Sequence, residues 1–302
     1  MDKVYVVVVT FNAMPWIDRC ISSLSNSDIA VNTIVIDNCS SDDTCTHISK
    51  NYPEVRVIQS EINLGFGRGN NIGLKLALKE KADYVLLLNQ DAWVDNTCIS
   101  TLIKAHKDNP HFGVLSPQHL SAERQSLETK FEEYCSPLNT PQLLSDFVTG
   151  NKKTVYKSNF VNAAVWLMSS DCLSVVGGFN PLFPHYGEDE EYIFRTKYHG
   201  FSLGIVPEAV AVHDARFSWE KIEFNPKRNL IFNLIPLSNI NHPLRSAFLS
   251  FLKRSFDELT TLLVFRKFRK FRVRFLAFWK TIFMMKSIAS SRKSASAKGA
   301  FI

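Results

Sequence analysis

Four short apolar runs in the first hundred residues are what most restrict the possible folds of this chain. Val4–Val9 runs into Thr10-Phe11-Asn12, Thr33–Ile36 into Asp37-Asn38-Cys39, and Tyr84–Leu88 into Asn89-Gln90-Asp91; Val55–Ile58 is the other run. Continuous runs this short suit strands buried on both faces. Between them lie stretches with helical spacing, such as Trp16, Ile17, Cys20, Ile21 and Leu24. Strands alternating with helices imply an α/β fold with a mainly parallel sheet. The polar residues at the strand ends then face the crevice where such sheets bind ligands. A carboxylate there, Asp91 above all, suits a hard divalent cation that in turn holds a diphosphate.

Asn63-Leu64-Gly65-Phe66-Gly67-Arg68-Gly69-Asn70 precedes a helix through Leu74–Leu78. Glycines ahead of a helix let backbone amides approach an anion. No frame completes G-x-G-x-x-G, and no G-K-[ST] follows, so neither a dinucleotide fingerprint nor a Walker loop is present. Residues 120–155 have mixed charge and little periodicity, and are expected to form a variable, partly mobile insert. A strand over Phe160–Met168, a helix over Ser170–Val176 and a turn at Gly177-Gly178-Phe179-Asn180 follow. Glu188-Asp189-Glu190-Glu191 then opens a helix. The helix dipole favours acidic residues there, while their crowding raises a carboxyl pKa toward that of a general base. The extended pair Ser202–Pro207 and Ala209–Val212 ends in His213, whose imidazole can complete a metal site.

The net charge of +6 is concentrated at one end: from Leu259 onward there are eleven Lys or Arg and no Asp or Glu. Phe265, Phe268, Phe271, Phe275, Phe278 and Ile282 recur every three or four residues among these basic side chains. That is the pattern of a basic amphipathic helix lying on an anionic membrane, here residues 259–286. Packing against the rest of the protein is the first competing explanation, and nucleic-acid binding a weaker one. The final dozen residues, rich in Ser, Ala and Lys, are expected to be disordered. Six scattered cysteines without a C-x-x-C pair fit a reducing cytosol, and no signal peptide or spanning segment is expected.

Taken in order, these motifs resemble the inverting family 2 glycosyltransferases of GT-A fold, with rhamnosyltransferases of bacterial surface polysaccharide as the nearest subset. The resemblance covers about residues 4–235 and rests on Thr10-Phe11-Asn12, Asp37-Asn38, Asn63 through Gly73, Asn89-Gln90-Asp91, Gly177-Gly178-Phe179, Glu188-Asp189-x-Glu191, His213 followed by Ser218, and Arg228-Asn229. It implies a Rossmann-like catalytic domain over 1–224 and a helical, basic, membrane-associating region over 225–302. Thr10, Asn12, Asp37, Asn63, Asn70, Asn89 and Arg228 would contact the nucleotide-sugar. Asp91 and His213 would hold Mg²⁺ or Mn²⁺, Asp189 would be the general base, and Glu188 and Glu191 would lie on the acceptor side. The implied reaction moves a sugar, with dTDP-rhamnose as the candidate donor, to a lipid-linked glycan at the cytoplasmic face of the membrane, with no nucleic acid involved. Two departures stand out: Asn89 replaces the first Asp of the usual D-x-D, and Glu191 the last Asp of E-D-x-D. A nucleotidyltransferase and a catalytically degenerate membrane scaffold are the alternatives.

Overall fold

The computed structural model of the chain describes residues 2–215 and 226–302, so the expected Ser218 lies outside the described residues. The first half alternates as the apolar runs require: β1 (Val4–Thr10), α1 (Ile17–Ser25), β2 (Asn32–Asp37), α2 (Thr44–Asn51), β3 (Arg56–Gln59), α3 (Phe66–Lys79), β4 (Tyr84–Asn89), β5 (Ala92–Val94), α4 (Cys98–Asp108) and β6 (Val114–Leu120). Then follow α5 (Thr129–Tyr134), α6 (Leu143–Thr149), β7 (Tyr156–Ser158), β8 (Val165–Ser169), α7 (Ser170–Val176), α8 (Glu188–Tyr198) and β9 (Leu203–His213). Four helices close the chain: α9 (Pro226–Ser238), α10 (Leu244–Val264), α11 (Phe268–Phe283) and α12 (Met285–Ala295).

All the strands join one sheet of order β3-β2-β1-β4-β8-β6-β9-β5, with β7 also pairing β9. β3, β2, β1 and β4 are parallel, and β8 enters antiparallel against β4. Alternate residues of β1 supply two separate cores. Val6 and Val8 pack with Ile17 and Ile21 on one face, and Tyr5 and Val7 with Leu74 and Ala77 on the other. Each fully buried valine contributes roughly 1.5–3 kcal/mol. The chain runs from β1 outward through β2 and β3, then returns beside β1 as β4. This reversal sets the ends of β1, β2 and β4 at a topological switch point. The register there places Thr10 beside Asp37 and Val9 beside Asn89.

Four expectations need correction. Of the glycines of 65–73 only Gly65 precedes α3, as its N-cap at φ +79°; the helix begins at Phe66 and contains Gly67, Gly69 and Gly73. They let the helix approach its neighbours: a Cβ on Gly73 would stand 2.4 Å from a Val7 methyl, and one on Gly67 2.9 Å from Phe179 Cβ. The 120–155 insert is built around α5 and α6, with Phe131 and Leu143 buried and Asn139 and Thr140 bonded to Ser158. The last residues are ordered rather than disordered. Ile288 is buried in a third core with Phe183, Leu230, Leu234 and Phe251, and the Gly178 amide donates to the Ala300 carbonyl at 2.8 Å. Gly177, at φ +84°, leaves no room for a side chain, since a Cβ there would lie 1.9 Å from the Ala300 oxygen.

The basic aromatic stretch is not one helix. It breaks between Val264 and Phe268, where Arg266 has φ +52°, into α10 and α11. Phe278 of α11 stacks on Phe251 of α10 at 5.5 Å, whereas Phe265, Phe268, Phe275, Trp279 and Phe283 stay exposed. Among the described residues no helix is long and apolar enough to cross a membrane.

Candidate active site

The end of β4 forms one wall of a cavity of about 530 Å³. Asn89 and Asp91 project from that wall, with Asn89 held by a 2.8 Å bond from its amide to the Ala164 carbonyl. Between them Gln90 turns the other way, and its side chain clamps both the amide and the carbonyl of Phe11. β5 pairs with the end of β9, Ala92 opposite His213, and so brings His213 Nε2 to 3.5 Å from Asp91 Oδ1. The next residue, Asp214, accepts a 2.8 Å bond from the Trp16 indole, which ties this strand end to the loop after β1.

The start of α8 forms another wall. Gly187, at φ +84°, turns the chain into the helix, so that Glu188, Asp189 and Glu190 all face the cavity. Burial lifts the Asp189 carboxyl from its ordinary 3.8 to about 6, against the opposing pull of the Glu190 amide, which donates to it at 2.9 Å. Burial and then the charge of Asp189 raise Glu190 to about 7. Glu188 rises for the same two reasons, and its Oε2 is buried without a hydrogen-bond partner. Three neighbouring carboxyls at a helix start, each with a raised pKa, resist ionising together. At neutral pH one of them is therefore poised to take a proton.

α9 roofs the cavity with Arg228, Ile231, Phe232 and Ile235. The Arg228 guanidinium lies 3.9 Å from the centre of the Tyr186 ring, a cation–π contact at the cavity mouth. A fixed cation, a carboxylate–imidazole pair and a proton acceptor thus surround one space. That set can neutralise a leaving diphosphate and deprotonate a hydroxyl.

The sequence model of Glycosyl transferase family 2 matches residues 5–161, more than half of the chain. The chain is a family 2 glycosyltransferase. Similar curated proteins include the low-salt glycan biosynthesis hexosyltransferase Agl10 of Haloferax volcanii, 22% identical over 71% of this chain and 68% of that protein. The N-acetylglucosaminyl-diphospho-decaprenol L-rhamnosyltransferase of Mycobacterium tuberculosis is 27% identical over 70% of this chain and 76% of its own length. The dTDP-rhamnosyl transferase RfbF of Shigella flexneri is 23% identical over 70% and 69%. Among solved structures, Staphylococcus aureus TarS residues 1–349 with UDP-GlcNAc superposes with a TM-score of 0.58 at 16% identity, covering 96% of this chain and 91% of that one. That likeness shows the GT-A fold.

In this glycosyltransferase the residues named from the sequence separate into two groups. Asn89, Asp91, Glu188, Asp189, His213 and Arg228 line the cavity. Thr10, Asn12, Asp37, Asn63, Asn70 and Glu191 do not, and their polar atoms are engaged elsewhere. Asp37 is fully buried, and its carboxylate accepts from the Thr10 hydroxyl and from both the amide and hydroxyl of Ser40. Asn12 holds the Ser41 amide, Asn63 the Gly65 amide, and Asn70 donates back to the Phe66 carbonyl. Thr10, Asn12, Asp37 and Asn63 shape the loops after β1, β2 and β3, whereas the Asn70 bond lies within α3. Glu191 points into the protein, where it pairs with fully buried Arg195 at 2.9 Å and accepts from Asn180. Its longer arm thus serves an internal ion pair.

The sequence did not reveal Lys130 and Tyr134, which the insert delivers to the cavity, nor Tyr186 beneath Arg228. Glu128, N-cap of α5, and His119 of β6 were also missed. Burial and then the neighbouring His213 hold the His119 imidazole well below its usual pKa.

Proposed function

We propose that this enzyme transfers a hexosyl unit, L-rhamnose foremost, from a nucleoside-diphosphate donor to a lipid-linked glycan, with inversion at the anomeric carbon. The observation that carries this is the placing of Asp91 and His213 on one wall of the cavity and Asp189, its pKa lifted to about 6, on another. The acceptor hydroxyl attacks the anomeric carbon as the bond to the diphosphate oxygen breaks, and its proton passes to Asp189. Arg228 faces the negative charge that develops on the diphosphate. The donor set fits a divalent metal: Asp91 offers a carboxylate oxygen, and His213 Nε2 stands 3.5 Å from it. Asp91 and His213 would hold Mg²⁺ or Mn²⁺, which would supply Lewis-acid neutralisation of the leaving group. Asn89, in place of a carboxylate, leaves Asp91 as the single acidic ligand on that strand end. Thr10, Asn12, Asp37 and Asn63 act on the nucleotide through the loops they hold in place, and Asn70 through the first turn of α3.

The decaprenol-linked acceptor in the name of the mycobacterial relative supports a lipid-linked acceptor here. So does the packing of the cavity roof, α9, against α10 and α11; Phe265 at their junction and Phe268, Trp279 and Phe283 of α11 are exposed among basic residues. These helices bring the enzyme to the inner face of an anionic membrane as a peripheral protein.

Calorimetric titration of dTDP-rhamnose, UDP-glucose, UDP-galactose and GDP-mannose, each with and without Mn²⁺, tests the donor assignment. One donor is expected to bind, and only with metal. Equal binding of every donor regardless of metal, or binding of none, would overturn it.

A further inference from the structure

A second cluster of ligand-type side chains lies behind the cavity wall. His119, Glu128 and His213 each offer an atom within 4.8 Å of the other two, and all three residues are buried. The backbone holds them there. β6 pairs parallel with β9, His119 opposite Ala211, so His213, two positions on, projects from the same side of the sheet. The Glu128 amide donates to the His119 carbonyl at 2.9 Å, which fixes the third residue against the first.

The polar accounting at this cluster is incomplete. His119 Nδ1 and His213 Nδ1 are both buried and lack hydrogen-bond partners. Leaving such groups unpaired is unfavourable, so buried imidazoles normally find partners. The other ring nitrogen of His119 sits 3.2 Å from the Ser116 hydroxyl, whose own hydrogen is directed to the Pro117 carbonyl. The tautomer that donates from Nε2 leaves Nδ1 with a lone pair to offer a metal. The Glu128 carboxylate accepts the Lys130 and Phe131 amides at 3.0 and 2.9 Å, one bond per oxygen, so each oxygen keeps a second lone pair.

Two imidazoles and one carboxylate, with one face open to a cavity, form a donor set for a borderline transition metal. We propose that His119, Glu128 and His213 form a second metal site, selective for Zn²⁺ over Mg²⁺ and entered from the active-site cavity. Glu128 and His213 line that cavity and provide the way in, while His119 closes the site from behind. Asp91 is not one of its ligands. His213 is shared, so zinc here draws that side chain away from Asp91. This last consequence rests on the metal assignment proposed above, whereas the binding itself does not.

The test is Zn²⁺ titrated alone into the full chain, with no nucleotide, against a competing chelator. Wild type and Asp91→Asn are each expected to bind one equivalent with similar affinity. His119→Asn and Glu128→Gln are expected to bind about tenfold or more weakly. Loss of zinc in Asp91→Asn with retention in the other two would place the ion at the Asp91 wall and overturn the proposal, as would no zinc binding by wild type. Should either buried variant unfold on circular dichroism, Co²⁺ bound to the wild-type protein decides. The intense visible bands of a tetrahedral nitrogen–oxygen site support the proposal, and the weak bands of an octahedral oxygen site refute it.

Discussion

Replacing Asp189 with Asn should slow the enzyme and stabilise it, in a way that depends on pH. The carboxyl has its pKa lifted from 3.8 to about 6 by burial. The folded chain therefore holds this proton more tightly than the unfolded chain does. The group favours folding in acid, and that advantage is lost as pH rises from about 4 to about 6. At about 1.36 kcal/mol for each tenfold change, ionised Asp189 weakens the fold by about 3 kcal/mol at neutral pH. The amide of Asn keeps an oxygen for the Glu190 amide and carries no charge to desolvate. Chemical denaturation should find Asp189→Asn more stable than wild type by up to about 3 kcal/mol near pH 7.5, and no more stable near pH 4. Initial-rate assays should show kcat reduced by about 10²–10⁴, because no group takes the acceptor proton. Wild-type kcat/KM should climb with pH through about 6 as the base ionises. A variant that keeps its rate within about tenfold of wild type would move the base to another carboxyl, Glu190 first. A stability difference of the same size at both pH values would refute the raised pKa.

Gly73→Ala should lower stability by about 1–3 kcal/mol in urea unfolding, because its methyl would meet a Val7 methyl at 2.4 Å with α3 locked on β1. Glu191→Ala leaves the fully buried Arg195 guanidinium without its carboxylate and should reduce stability by about 3–5 kcal/mol, while donor affinity in the surviving folded fraction stays unchanged. Replacing exposed Phe265, Phe268 and Phe283 together with Ser should abolish sedimentation with vesicles containing phosphatidylserine, and high salt should weaken the wild-type interaction.

The sheet was legible in the sequence because its strands are apolar on both faces and short, and no other element looks like Tyr84–Leu88 running into Asn89-Gln90-Asp91. Asp91 and His213 were legible as polar residues ending apolar strands and Asp189 as one of four crowded carboxyls, whereas Arg228 followed only from the resemblance to family 2 glycosyltransferases. The direction of a side chain beyond its backbone was not legible. Glu191 and Asp189 stand two apart on one helix, yet one faces a buried arginine and the other the cavity. The glycines of α3 were misread because a Gly-rich stretch looks the same whether it bares amides to an anion or admits a neighbouring valine. The ordered end of the chain could not be foreseen either, since Ser, Ala and Lys give little local signal and the partner that orders them is a turn at Gly177-Gly178.

The clasp between that turn and the last helix also bears on how the enzyme is made. Asn180, just ahead of the acidic helix, shares hydrogen bonds with Ser291, a residue 111 positions later, and Ala300 then seals Gly178. During translation β1 to β4 can pair as soon as they emerge, but the segment that carries Asp189, the proposed base, lacks this clasp until α12 has been synthesised. A growing chain is therefore a sheet without a finished catalytic wall. It becomes competent to act on a sugar only after the helices that would bring it to a membrane have been made.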